Sequence, residues 1–404
     1  MGDPMSHEHG GIDLGPMTLP DGHSWRKLPT VGCVIGVIGL AASVGLGLGD
    51  WLQFYFSYLV AFIFFLSLAL GGLFFTLVHH VTKAGWSVVV RRLAENVMGT
   101  LPFFVFLFIP IALGASDLYH HWTHAPSDDT LVAGKLAYLN LPFFYVRAAF
   151  YLLIWTFLSW WFLKQSVAQD TTGDHAITRK LQARSAPALV LFALTLTFAV
   201  FDWVMTLDPH WYSTIFGVYY FGGLMIAIFS TLALLVLGLQ KAGLLRDVVT
   251  VEHFHDLGKY QFAFVVFWAY IAFSQYMLIW YANIPEETLW VRHRTEHGWE
   301  HIAGLLMVGH FLIPFFFLLP RTIKRIPRLV GYAAVWLLLM HYVDMYWLIM
   351  PVHHETLTLS LMDLTTFVTV GGFFVAALGW QFRRHSILPI KDPRLAESLA
   401  FENM

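Results

Sequence analysis

Ten predominantly apolar stretches follow one another along the chain, at 30–48, 54–79, 97–115, 138–163, 186–207, 214–239, 260–281, 301–319, 329–350 and 360–381. Each is close to the roughly 20 residues that a helix needs to cross the hydrocarbon of a bilayer. Polar residues collect in the connectors between them. The pattern predicts an all-α polytopic membrane protein with about ten transmembrane helices. A polar segment at 1–29 precedes a membrane domain at 30–382, and a tail at 383–404 follows it. The second stretch is longer than a crossing requires, so a tilt or a protruding end is expected. The charged stretch 85–96 is expected to lie along the interface before the third span.

Charge orients the spans. Of the 24 Lys and Arg residues, Arg147 lies inside a span, and only Lys135, Arg292 and Arg294 lie in the connectors of one side. All the others fall on the opposite side. Lys and Arg are retained on the cytoplasmic side during insertion, so both termini are expected there, which requires an even number of spans. No apolar core follows a basic start within the first 25 residues. The first span is therefore expected to act as its own insertion signal. The connectors of the other side are acidic and rich in histidine, with His120, His121, His124, Asp128 and Asp129, then Glu286, Glu287, Glu296 and His297, then His353, His354 and Glu355. They read either as a solvated rim or as a docking surface.

Composition agrees with a lipid-facing surface, because charged residues make up 12% of the chain, against about 25% in soluble domains. A net charge of −2 leaves no basic excess for nucleic acid. The single cysteine, Cys33, cannot build an iron–sulfur site, a zinc knuckle or a c-type haem attachment. It is expected to be a small packing residue in the first span.

An ionised side chain in mid-membrane costs about 2.5–3.5 kcal/mol, so the few present need a reason. They are Arg147, Asp202, His310, His341, Asp344 and, at a shallower depth, Asp363. Arg147 and Asp202 fall at similar depths on consecutive spans and are expected to pair, either to fix packing or as part of a proton path. His341 and Asp344 are three residues apart and share a helix face. A carboxylate beside an imidazole fixes its tautomer, which suits a proton relay and equally a satisfied buried histidine. His310 and His341 at mid-depth could also ligate a b-type haem. On the basic side, His79, His80 and Glu95, with Asn96, read as a cytoplasmic proton entry or as interfacial anchors. Aromatic residues at span ends, such as Trp51, Trp211 and Trp299, read as interface belts and would also suit a quinone ring.

The most distinctive segment is FDWVMTLDPHWYSTIFGVYYFGG at 201–223. Pro209 disfavours helical geometry at Asp208 and ends the fifth span there. Asp208 is expected to cap the turn, and Ser213 or Thr214 to cap the sixth span. His210 sits at the tip of the hairpin. This segment closely resembles one in a family of integral membrane subunits of alternative complex III, a quinol:cytochrome c oxidoreductase. That family is related to the NrfD-like, or polysulfide-reductase-like, membrane subunits. The likeness extends in length, span number and orientation over nearly the whole chain.

The resemblance implies two four-helix bundles, at about 51–208 and 212–351, with the first and last spans outside them. It implies a bacterial cytoplasmic membrane. It also implies a cofactor-free chain beside a sister NrfD-like subunit that binds quinol, an iron–sulfur subunit and multihaem c-type cytochrome subunits, with a terminal oxidase as a further partner. Such a subunit is non-catalytic or energy-coupling, and proton half-channels are proposed for it. The proton-path candidates are Arg147, Asp202, Asp208, His210, His310, His341, Asp344 and Asp363. His79, His80 and Glu95 are the candidates for cytoplasmic entry, and no catalytic or metal-ligating residue is assigned. Three other readings compete: a quinone- or haem-b-binding redox subunit, a proton-coupled secondary transporter, and a passive scaffold.

Overall fold

The computed structural model describes residues 17–403. Most of the polar N-terminal segment, 1–16, and the last residue of the tail lie outside the described residues. Ten helices are long and apolar enough to cross a membrane: α1 (Ser24–Gly47), α2 (Trp51–Val81), α3 (Val88–Leu113), α4 (Leu141–Thr172), α5 (His175–Leu207), α6 (Phe216–Lys241), α7 (Val251–Ala282), α8 (Trp299–Leu318), α9 (Pro327–Val352) and α10 (Leu361–Arg384). The chain is an all-α, multi-pass membrane protein.

Several helices run well past their apolar stretches, on the side where Lys and Arg collect. α4 continues to Thr172, α5 begins at His175 and α7 begins at Val251. Hydropathy sees only the part of a helix that meets lipid. The true ends are set by caps, which satisfy the first free backbone N–H groups. The Asp174 carboxylate accepts from Ala176 N at 2.8 Å, and Thr250 caps α7. At the other ends of the bundle, Asn140 accepts from Phe143 N at 3.0 Å and Ser360 caps α10.

The stretch 85–96 does not lie along the interface. Val88–Met98 is the wholly buried first part of α3. Its charges are matched inside the protein, as described below, so it has no need of a water-facing side. Cys33 is exposed on α1 rather than packed. Neither Ser213 nor Thr214 caps α6, whose start has no side-chain cap. The Ser213 hydroxyl is bonded to Gln275 Oε1 at 3.1 Å instead.

α2 is the pillar of the molecule. Its most apolar window is 94% buried, and it touches α3, α5, α6, α9 and α10. α2 to α5 pack on one another, as do α6 to α9, and α2 meets α6 and α9 across the join. A segment so enclosed is apolar all round because it has no solvent or lipid face. α1 lies chiefly on α10. A Cβ on Gly372 would sit 2.4 Å from Gly36 N, and one on Gly32 would sit 2.6 Å from Ala376 N. Only glycine lets the two backbones approach so closely, the usual means by which membrane helices associate.

Loop contacts sort into two sets that mark the two ends of the bundle. At the basic end, Lys391 Nζ donates to Thr171 O and Ser398 Oγ to Trp86 O. At the histidine-rich end, Lys135 Nζ donates to Pro209 O and Arg294 to Leu348 O.

Candidate functional site

The middle of the α6–α9 group holds His310, His341 and Asp344, each fully buried. Asp344 Oδ1 accepts from the Tyr219 hydroxyl of α6 at 2.5 Å, and Oδ2 accepts from Trp268 Nε1 of α7 at 3.1 Å. Both donors are neutral. Among the described residues no ion pair involves Asp344. Its carboxylate therefore does not bond the imidazole of His341, although the two share a face. Tyr219 and Trp268 have taken both oxygens.

His341 turns to α2, where its Nε2 lies 2.9 Å from Ser67 Oγ. The Ser67 hydroxyl donates to Phe64 O at 2.6 Å. Its oxygen is then left to accept from Nε2–H, and Nδ1 becomes a bare acceptor. That Nδ1 is buried without a partner. It faces Gly223 of α6, where an added Cβ would sit 2.8 Å from it and 3.9 Å from Asp344 Oδ2. A glycine is needed here so that α6 can pack against the His341 ring.

His310 lies within electrostatic range of His341, on a π-helical stretch of α8, Leu306–Leu312. Such a stretch inserts an extra residue into the helical turn and often marks a functional site. It also frees the Gly309 carbonyl, which accepts from Trp336 Nε1 at 2.6 Å. The His310 ring packs on Trp268, with centroids 4.2 Å apart, and neither ring nitrogen has a partner. Three buried ring nitrogens without a hydrogen bond, near a carboxyl without a cation, form a polar cluster that the fold leaves unsaturated.

The α2–α5 group treats its acid differently. Arg147 of α4 grips Asp202 of α5 through Nε at 2.7 Å and Nη2 at 3.1 Å. Tyr151 donates to the same carboxylate at 2.9 Å. The third guanidinium nitrogen donates to Tyr138 O at 2.8 Å, and the Tyr138 ring stacks on the guanidinium. Every strong group in this cluster is paired.

At the basic end, Glu95 is clamped by Arg91 Nε at 3.3 Å and Arg92 Nε at 2.7 Å. Ser166 adds a bond at 2.7 Å. Arg92 also reaches Asp170 at 2.7 Å, and Arg91 reaches Asp392 of the C-terminal tail. Glu95 is thus closed off within a buried network. His79 donates from Nδ1 to Phe75 O. His80 Nε2 and the whole Asn96 amide are buried without partners beside that network.

The remaining candidates lie at the histidine-rich end. Asp363 caps α10 and accepts from Ser57 and Gln53 of α2, at 2.5 Å and 3.3 Å, and from Tyr346. His210 bonds Asp129 at 2.7 Å on the surface. Asp208 faces Lys135, His121 and Arg294 electrostatically. Arg294 is 2% exposed, yet no carboxylate pairs with it among the described residues. It donates to Trp290 O at 3.1 Å and Leu348 O at 2.8 Å, stacks on Trp290, and leaves Nε unpartnered. Burial lowers its pKa to about 9. Leu348 is one turn from Asp344, so this guanidinium sits over the Tyr219–Asp344 pair.

Sequence reasoning passes over Arg294 because it lies in a connector. It also passes over Tyr219, Trp268 and Ser67, which read as ordinary span residues. Their role depends on contacts between helices that no local pattern carries. Among the described residues no three His, Cys, Asp or Glu side chains are grouped as a metal site. No protein-family model matches the chain, and no curated protein matches it.

Proposed function

We propose that this chain is an energy-coupling membrane subunit that carries protons for a quinol-oxidising respiratory complex. The observation that supports the reading is the His310–His341–Asp344 cluster. A buried carboxyl with no cation is neutralised by a proton instead, and Tyr219 and Trp268 can donate to it in either state. His341 Nδ1 and the bare nitrogen of His310 are open to a proton or to ordered water, and the His310 N–H is free to donate. The cluster lies between Arg294 at the histidine-rich end and the unpartnered Asn96 and His80 at the basic end. Asp202 is assigned a structural role, since Arg147 already neutralises it.

The basic end is taken as cytoplasmic, which puts both termini there in a bacterial inner membrane. The histidine-rich end then faces the sister quinol-binding subunit and the iron–sulfur and multihaem c-type subunits, with a terminal oxidase further along. Redox groups belong to those partners in this reading. Moving one charge across the membrane is worth about 2.3 kcal/mol per 100 mV, so a redox event next door has to shift the charge or hydration of Asp344 to drive it.

The test is Asp344→Asn in the whole complex, purified from its membrane and reconstituted in liposomes. The proton-to-electron ratio should fall while quinol oxidation continues. An unchanged ratio would overturn the proposal and leave a scaffold. Purification of the chain without any redox subunit would favour the transporter reading.

A further inference from the structure

α9 and α10 follow one another in sequence, but their backbones stay apart. Between them lies a slot of about 780 Å³, floored by residues of α2 and α6 such as Phe64 and Leu235 and walled by Leu339, Phe367 and Leu359, with Trp25 at its far end. The walls are almost wholly apolar, and Asp363 at the rim already has its partners. The slot is narrow and apolar, and suits chain-like hydrocarbon.

The Trp25 end carries charge that the chain itself does not use. Trp25 packs on Gly238 of α6, and the neighbouring Leu237 packs on Gly331 of α9, so the three helices meet at one level. One turn beyond that level α6 ends in Lys241, Arg328 lies in the first turn of α9, and Lys27 comes two residues after Trp25. Lys241 is seven residues from Leu234, and Arg328 eleven from Leu339, so each shares a helix face with a residue that lines the slot. Tyr332 and Val335, between Arg328 and Leu339, are exposed on that same face. Lys27, Lys241 and Arg328 are exposed and have no ion-pair or hydrogen-bond partner among the described residues. Basic pockets between membrane helices take anionic headgroups by this chemistry.

We propose that the slot is a binding site for an anionic phospholipid. Its acyl chains occupy the space between α9 and α10, and its phosphate lies at Lys27, Lys241 and Arg328. The site is independent of any proton path.

The experiment is native mass spectrometry of the full-length, delipidated protein titrated with dioleoyl phosphatidylglycerol and with dioleoyl phosphatidylcholine. The anionic lipid should bind about tenfold more tightly. The exposed triple variant Lys27→Gln, Lys241→Gln, Arg328→Gln should fold normally and bind the two lipids alike. Leu339→Trp with Leu235→Trp should weaken both. Equal binding of the two lipids by the parent protein, or an unaltered preference in the triple variant, would overturn the proposal. So would a photo-crosslinker at position 339 that captures a polypeptide or a neutral prenyl lipid in native membranes.

Discussion

Asp202 and Asp344 sit toward the same end of the molecule, on α5 and α9, and meet different fates. Asp202 is held by a bidentate guanidinium and a tyrosine, so its charge is compensated within the protein. Removing one member of a buried pair strands the other and costs about 3–5 kcal/mol. Asp202→Asn should therefore lower the free energy of unfolding by that amount in mixed-micelle SDS titrations. Arg147→Met combined with Asp202→Leu should recover most of it. Asp344→Asn should cost less, because the amide oxygen still accepts from Tyr219. A larger loss at Asp344 than at Asp202 would reverse the roles assigned to them.

Among the elements, the α1–α10 pair shows most directly how composition becomes packing. Gly32, Gly36 and Gly39 form one stripe that closes on Thr369, Gly372 and Ala376, and Ser43 Oγ lies 3.3 Å from Thr369 Oγ1. Overfilling a close-packed contact costs about 1–3 kcal/mol. Gly372→Leu should push α1 away and expose Ser43. With Ser43→Cys as the reporter and Cys33→Ser to remove the native thiol, maleimide labelling should quicken about tenfold. No change in labelling would mean that α1 is held by other contacts. The π-helical stretch of α8 works the other way: it loosens a helix in order to place His310 inward and give Trp336 an acceptor.

For the whole molecule, the two ends share a response to acid. His353 at the histidine-rich end stacks on Phe56, with centroids 4.8 Å apart. Burial, then the neighbouring His354, lowers its pKa to about 4. At the basic end burial, then Arg92 and Arg384, lowers His385 to about 4. Free imidazole titrates near 6.5. As pH falls through about 6.5, the unfolded chain binds these protons and the folded one does not until about 4. Stability should therefore be lost progressively across that window and no further below it through these two groups. His353→Gln with His385→Gln should flatten the dependence of the melting temperature on pH between those limits. An unaltered slope would place the acid response elsewhere. The basic end is further tied by the tail, where Asp392 meets Arg91 and Asn403 meets Lys259 and Glu252, joining α3 to α7.

The class of fold, the number of spans and the sorting of basic residues are all legible in the chain before it folds. They follow from the free energy of moving each residue into hydrocarbon, which depends on composition alone. The few intramembrane charges are legible too, because their cost makes them conspicuous. Helix ends on the basic side are not, since a helix in water carries no hydropathy signal. Nor is the burial of 88–98, because its charges are matched by Asp170 and Asp392 from distant parts of the chain. That Asp202 is locked by a cation while Asp344 rests on neutral donors emerges only when the helices pack. Hydrogen bonding acts over about 3 Å, and which groups come that close is set by helix packing, not by spacing along the chain.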